Sequence, residues 1–188
     1  VRPVLFVTVG ISGSGKSTFA KNLLKYIDFI TACPDDIRKE LGNINNQENN
    51  DKVFSIARST TYLHLIHEYN VFFSATSLTR HSREEFYRIQ SKTNCILIFL
   101  IMKDSYNEEL CRKRVIEDLK NKVNRSDTTV IVTKTHKDVI ATQYDKFKYI
   151  SIAPEIENRK YTYSFDVLNK KSYYVFISDF AKKLNTLE

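Results

Sequence analysis

A short apolar run, Val4-Leu5-Phe6-Val7-Thr8-Val9, leads directly into Gly10-Ile11-Ser12-Gly13-Ser14-Gly15-Lys16-Ser17, and a helical pattern follows. No other feature restricts the fold as much. The chain has only four glycines, and three of them lie in this one segment. Glycine is concentrated where the backbone must take positive φ or lie close against a ligand. The run before it is mostly β-branched and apolar on both alternating sides, as in a central strand of a parallel sheet. Strand, glycine-rich loop and helix in this order predict a phosphate-binding loop of the Walker A type at a helix N-terminus.

The rest of the chain continues to alternate strand and helix. The first helix is predicted from 16 to about 26, with Phe19, Leu23 and Leu24 inward. Residues 29–32 read as a second strand, ended by Pro34, with Asp35 or Asp36 capping a short helix to 41. A polar loop over 42–50 precedes a helix over 51–68, a strand over 71–73 and a charged helix over 79–92. Residues 96–101 are the strongest strand signal. Helices follow over 107–123, 137–147 and 173–184; 149–152 reads as a last sheet strand, and 159–165 as strand or loop. This pattern predicts an α/β chain, a three-layer α/β/α sandwich with a central parallel sheet, in a single domain over 1–188 with a helical lid near 107–135.

In such a loop the backbone N–H groups converge on phosphate oxygens. The candidate nucleotide-binding residues are Ser12, Gly13, Ser14, Gly15, Lys16, Ser17 and Thr18. Lys16 is placed to reach the β- and γ-phosphates of ATP or another nucleoside triphosphate, and the Ser17 hydroxyl to ligate Mg²⁺. Thr18 is expected to support the α-phosphate. A GTPase needs DxxG and NKxD elements, which are missing, and no second glycine-rich signature of an ABC-type ATPase is present. The short chain, the expected lid and the early Asp35-Asp36 pair favour a small kinase.

Three segments, G-x-x-G-S-G-K-S-T-F-A from Gly10, P-D-D-I-R from Pro34 and S-A-T-S-L-T from Ser74, together resemble the 5′-OH polynucleotide kinase family of P-loop phosphotransferases, over roughly residues 4–147. The resemblance implies Mg²⁺- and ATP-dependent transfer of a γ-phosphate to the 5′-hydroxyl of RNA or DNA. It implies that Asp35 is the general base and that Arg38 grips the phosphate beside the acceptor nucleoside. Residues three apart share a helix face, so both can point into one cleft. Asp36 is then a cap or a support. Arg114, in Cys111-Arg112-Lys113-Arg114, matches the lid arginine of the family, and Arg125 is taken as the second, with Arg112 behind it. The family also carries an Asp after the third strand, where this chain reads Ser74-Ala75-Thr76-Ser77 without a carboxylate. Two alternatives stay open: a kinase acting on a nucleoside or other small molecule, and a nucleotide-binding module without efficient turnover.

The net charge of +7 and pI near 9.2 suit a polyanionic partner, a nucleic acid 5′-OH end, or are ordinary solubility charge. No apolar run approaches the roughly 18 residues that span a bilayer, so no membrane partner is expected. The apolar N-terminus runs straight into the glycine loop rather than to a cleavage site. The expected setting is therefore intracellular, cytoplasm or nucleus, not secreted, with further domains if the chain is a piece of a longer protein. Cys33, Cys95 and Cys111 are too scattered for a metal or disulfide pattern and read as free thiols. His64 and His67 lack an evident third ligand. Arg80, His81 and Arg83 either line an acceptor channel or open a solvated helix. The aromatic residues of 164–174 either pack in the core or stack bases.

Overall fold

The computed structural model describes residues 1–42, 50–121, 139–168, 173–184 and 186–187. Five strands, β1 (Val4–Val9), β2 (Ile30–Ala32), β3 (Val71–Phe73), β4 (Ile96–Met102) and β5 (Thr162–Val167), form one sheet in the order β2-β3-β1-β4-β5. Every pairing is parallel. The helices are α1 (Lys16–Leu23), α2 (Pro34–Glu40), α3 (Asn50–Ile66), α4 (Arg80–Thr93), α5 (Glu108–Lys120), α6 (Val139–Phe147), α7 (Ala153–Ile156) and α8 (Tyr173–Leu184). A 3-10 turn, Lys103–Tyr106, joins β4 to α5.

Strand side chains alternate between faces, and the alternation divides the core in two. Leu5, Val7 and Val9 of β1 and Leu97 and Phe99 of β4 pack with α3, α4, α5 and α6 through Ala57, Phe86, Val115 and Phe147. Phe6 of β1 and Ile98 and Leu100 of β4 pack on the other side with Phe19 and Leu23 of α1 and Ile177 and Phe180 of α8. Helices thus cover both faces of the sheet, and the chain has a three-layer α/β/α fold around a parallel sheet. Burying a residue such as Leu5 or Phe6 completely contributes about 1.5–3 kcal/mol, so β1, which holds the glycine loop, is fixed from both sides.

The structure departs from the sequence reading in several places. Residues 149–152 are not a strand; Ile152 precedes the short helix α7, and the last strand is β5. Cys33 occupies the N-cap of α2 with Pro34 at its first position, so Asp35 and Asp36 lie within the first turn and cap nothing. Proline suits that position because its missing N–H would have no intrahelical acceptor. Leu24 is exposed, beyond the end of α1. Phe165 packs edge-on against Phe180 at 5.0 Å, which settles that aromatic as core. Of the predicted loop over 42–50, Asn50 instead opens α3; residues 43–49 and much of the predicted lid lie outside the described residues. Among the described residues no helix is long and apolar enough to cross a membrane.

Candidate active site

Parallel register brings four strand ends to one edge. Val9 is level with Ile101, Val7 with Phe73, and Ala32 with Phe73. The segments after β1, β2, β3 and β4 therefore leave the sheet side by side, and β1 is where successive connections diverge to opposite sides. A crevice at such a switch point is where open α/β sheets place ligands. The glycine loop after β1 forms the floor.

Two residues of that loop have a backbone that only glycine adopts without strain. Gly13 has φ 79°, and a Cβ there would overlap the carbonyl of Cys111 on α5. Gly15, the N-cap of α1, has φ 94°. Ser17 and Thr18 are exposed in the first turn of α1, beyond which Phe19 donates its N–H to the Gly15 carbonyl at 2.9 Å. The early turn thus offers N–H groups and the Ser17 hydroxyl to solvent. Lys16 folds back, donating from Nζ to the Gly10 carbonyl at 3.1 Å and the Ile11 carbonyl at 2.7 Å. Ser12 and Ser14 are buried, and the Ser14 hydroxyl has no partner among the described residues.

The loop is braced by segments far away in sequence. Gly10 N–H donates to the Thr76 carbonyl at 3.0 Å, Ile11 N–H to Ser105 Oγ at 3.1 Å, and Ser12 N–H to Gln143 Oε1 at 2.8 Å. Thr8 Oγ1 donates to the Ala75 carbonyl at 2.7 Å and accepts the Ala75 N–H at 3.1 Å. The segment 74–77 is therefore adjacent to the loop, and none of its side chains is a carboxylate. Arg114, on α5, donates from Nη1 to the Gly13 carbonyl at 3.1 Å and to Asp104 Oδ2 at 2.8 Å. Arg112 instead pairs with Glu108 along α5 at 2.5 Å. Arg125 lies outside the described residues.

Asp35 and Arg38 meet on α2. Arg38 is buried and ion-paired to Asp35, whose side chain is half exposed. Its Nη2 donates to Asn50 Oδ1 of α3 at 2.5 Å, its guanidinium lies 5.7 Å from the Phe54 ring centre, and its Nε has no partner among the described residues. Asn50 and Phe54 also line a groove of about 810 Å³. Its far wall is the start of α4 with Thr79, His81 and Glu85, its floor includes Phe73 and Thr76, and its remaining wall is α6 with Thr142, Gln143 and Lys146. Thr76 and Gln143 are the same residues that touch the glycine loop, so loop and groove share a wall.

Arg83 does not face this groove. It is buried and grips Glu155 with two bonds, Nε to Oε2 at 3.1 Å and Nη2 to Oε1 at 2.6 Å, while Nη1 donates to the Ser77 carbonyl at 3.0 Å. That clamp fixes the segment after β3 to α7. Tyr87 donates to the same Glu155 at 3.3 Å; burial first, then the adjacent carboxylate, push its pKa up to about 12. Burial likewise pushes Cys33 and Cys95 up to about 11. Asp104, Ser105 and Gln143 are site residues that the sequence reading missed. For the first two a signal existed: they directly follow β4, and a parallel sheet brings that end beside the glycine loop. Among the described residues no three acidic, His or Cys side chains cluster as a metal site.

A family model described as an AAA domain, AAA_33, matches residues 5–143, most of the chain and every loop just described. The chain belongs to the AAA_33 family. The fold of this chain is that of P-loop kinases, as superposition on solved structures shows. A putative kinase from Chloroflexus aurantiacus superposes with a TM-score of 0.69 at 9% identity, with 100% of both chains covered. A chain of the Pnkp1/Rnl/Hen1 RNA repair complex gives 0.64 at 18% identity, covering 79% of this AAA_33 chain and 45% of its own length. This chain thus spans less than half of that protein. The Mycobacterium tuberculosis APS kinase CysC, solved with AMPPNP and APS, gives 0.56 at 16% identity, with 99% and 97% covered. At these identities the likeness is one of fold. Curated protein sequences give no match.

Proposed function

We propose that this AAA_33 chain is an ATP-dependent kinase that phosphorylates the 5′-hydroxyl end of RNA or DNA, as one P-loop kinase domain whose lid extends from α5 through about residue 135. The observation that carries the reading is the shared wall. A groove of about 810 Å³ abuts the phosphate loop through Thr76 and Gln143, and through Asn50 it touches the buried Arg38 that holds Asp35. That volume is within the usual range for small-ligand sites, roughly 300–1,000 Å³, and accommodates a terminal nucleotide. Arg58, His81 and Lys146 line it with donors for an anionic strand.

In the reaction the acceptor's 5′-oxygen attacks the γ-phosphorus, the bond from that phosphorus to the β–γ bridging oxygen breaks, and ADP leaves. The hydroxyl proton passes to the Asp35 carboxylate. The loop N–H groups of Gly13 and of Gly15 to Thr18 hold the phosphates, while that of Ser12 stays on Gln143 Oε1, and Lys16 turns from the Gly10 and Ile11 carbonyls to the β- and γ-oxygens. Arg38, with an unpartnered Nε, steadies the acceptor phosphate. Arg114 beside Gly13, together with Arg125, offsets charge developing on the γ-phosphoryl group. The exposed Ser17 hydroxyl at the N-terminus of α1 fits Mg²⁺, which needs only one or two protein ligands when phosphates supply others. Bound there, the ion would neutralise phosphate charge.

The carboxylates of Asp51 and Glu85 in the groove favour a second reading, a small hydroxyl-bearing acceptor. The APS kinase and a gluconokinase from Sinorhizobium meliloti share the fold. Competition decides between them: excess 5′-OH oligonucleotide should suppress phosphorylation of any small acceptor by occupying the groove. Transfer to a small acceptor that no oligonucleotide inhibits would reject the polynucleotide reading.

A further inference from the structure

Helix α6 has two working stripes. Val139, Thr142, Gln143 and Lys146 line the groove, and their i, i+3, i+4, i+7 spacing is one continuous face. The adjoining stripe is apolar: Ile140 and Phe147 are fully buried, and Phe147 packs edge-on against Tyr106 at 4.8 Å. The helix is therefore fixed in rotation, and Gln143 lies where the groove meets the phosphate loop. Its Oε1 accepts the Ser12 N–H at 2.8 Å. A backbone N–H can only donate, so the atom facing Ser12 has to be the amide oxygen, and the NH₂ points elsewhere. That NH₂ makes no hydrogen bond with another described residue.

We propose that Gln143 is a substrate-positioning residue that links the two substrate sites. Its Oε1 fixes the Ser12 limb of the phosphate loop, and its Nε2 donates to a sugar or phosphate oxygen of the strand in the groove. This rests on reading the groove as the acceptor site. One planar amide then feels both ligands, so an acceptor that orders Gln143 also orders the loop, and nucleotide tightens acceptor binding by the same factor in return. A simple prop for the loop needs the oxygen and has no use for the NH₂.

The test measures binding of a fluorescent 5′-OH oligonucleotide by anisotropy, with and without Mg·AMPPNP, alongside KM and kcat. Wild type should bind the strand at least threefold more tightly when nucleotide is present. In Gln143→Met the strand's Kd and KM should rise roughly tenfold, as for loss of one hydrogen bond to a charged group, and the coupling should vanish. AMPPNP affinity in the absence of the strand should fall by less than the strand's affinity, since only the brace on Ser12 is lost there. Gln143→Glu keeps an acceptor for Ser12 and removes the donors, so it should lose the coupling too; it also serves if the Met variant fails to fold. Retained coupling in Gln143→Glu, or a defect confined to nucleotide affinity, would make Gln143 a prop and overturn the inference alone. Failure of wild type to bind the strand would overturn the functional reading and this inference with it.

Discussion

Arg114 and Asp104 are bonded at 2.8 Å, and the same Arg114 nitrogen reaches the Gly13 carbonyl at 3.1 Å. One side chain thereby ties α5, the turn after β4 and the phosphate loop together. Arg114→Met should lower kcat for phosphoryl transfer by about 100-fold, the usual scale for losing one donor to transition-state charge. Asp104→Asn, which leaves the guanidinium in place but removes its anchor, should lower kcat by less. Steady-state kinetics at saturating ATP compare the two; equal loss in both would mean that the ion pair only supports the fold.

Gly13→Ala places a methyl group on the Cys111 carbonyl at a backbone φ of 79°. Strain of this kind costs about 1–3 kcal/mol before any overlap is counted. The variant should unfold at lower urea and should not bind AMPPNP detectably by calorimetry. Normal affinity would mean that α5 yields to the loop without consequence.

Glu155→Ala leaves the buried guanidinium of Arg83 without its carboxylate. Breaking a buried ion pair from one side costs about 3–5 kcal/mol. Urea unfolding should register that loss, and the double variant Arg83→Met, Glu155→Leu should recover much of it, because no charge is left buried. Because Arg83 also holds the Ser77 carbonyl beside the groove, the single variant should raise acceptor KM more than ATP KM.

Alkaline pH should destabilise the fold through three acids, the buried Cys95 and Tyr87 and the part-buried Cys33. Cys33 and Cys95 are raised from 9.0 to about 11, and Tyr87 from 10.0 to about 12. Between those values the unfolded chain has released protons that the folded chain still holds, so stability falls as pH rises. The contributions are complete below pH 9 and are lost through 9–11 for the thiols and 10–12 for the phenol. Urea midpoints at pH 8 and pH 10.5 should differ, and Cys95→Ala should flatten part of the slope. A midpoint independent of pH would contradict the burial of these groups.

The glycine loop is legible in the sequence because a chain with few glycines places three of them between a buried strand and a helix. The Asp35–Arg38 pair is legible because a spacing of three on a helix brings side chains together. The last strand, within a stretch over 159–165 that reads as strand or loop, is only half legible, for a physical reason. β5 is an edge strand with Thr162, Ser164 and Asp166 on it, while 149–152 alternates apolar residues without a neighbour to pair with. Pro34 moves the cap of α2 back to Cys33, so the acidic residues that look like caps fall inside the turn. Gln143 has no local signal at all, since its partner Ser12 is 131 residues away and only the packing of α6 joins them.

The most direct test of a polynucleotide kinase is transfer of label from γ-labelled ATP to a 5′-OH oligonucleotide, with Asp35→Ala beside the wild type. Labelled oligonucleotide from the wild type, reduced at least about 100-fold in the variant while AMPPNP still binds both, is the expected result. An unlabelled oligonucleotide from a wild type that binds AMPPNP would contradict it.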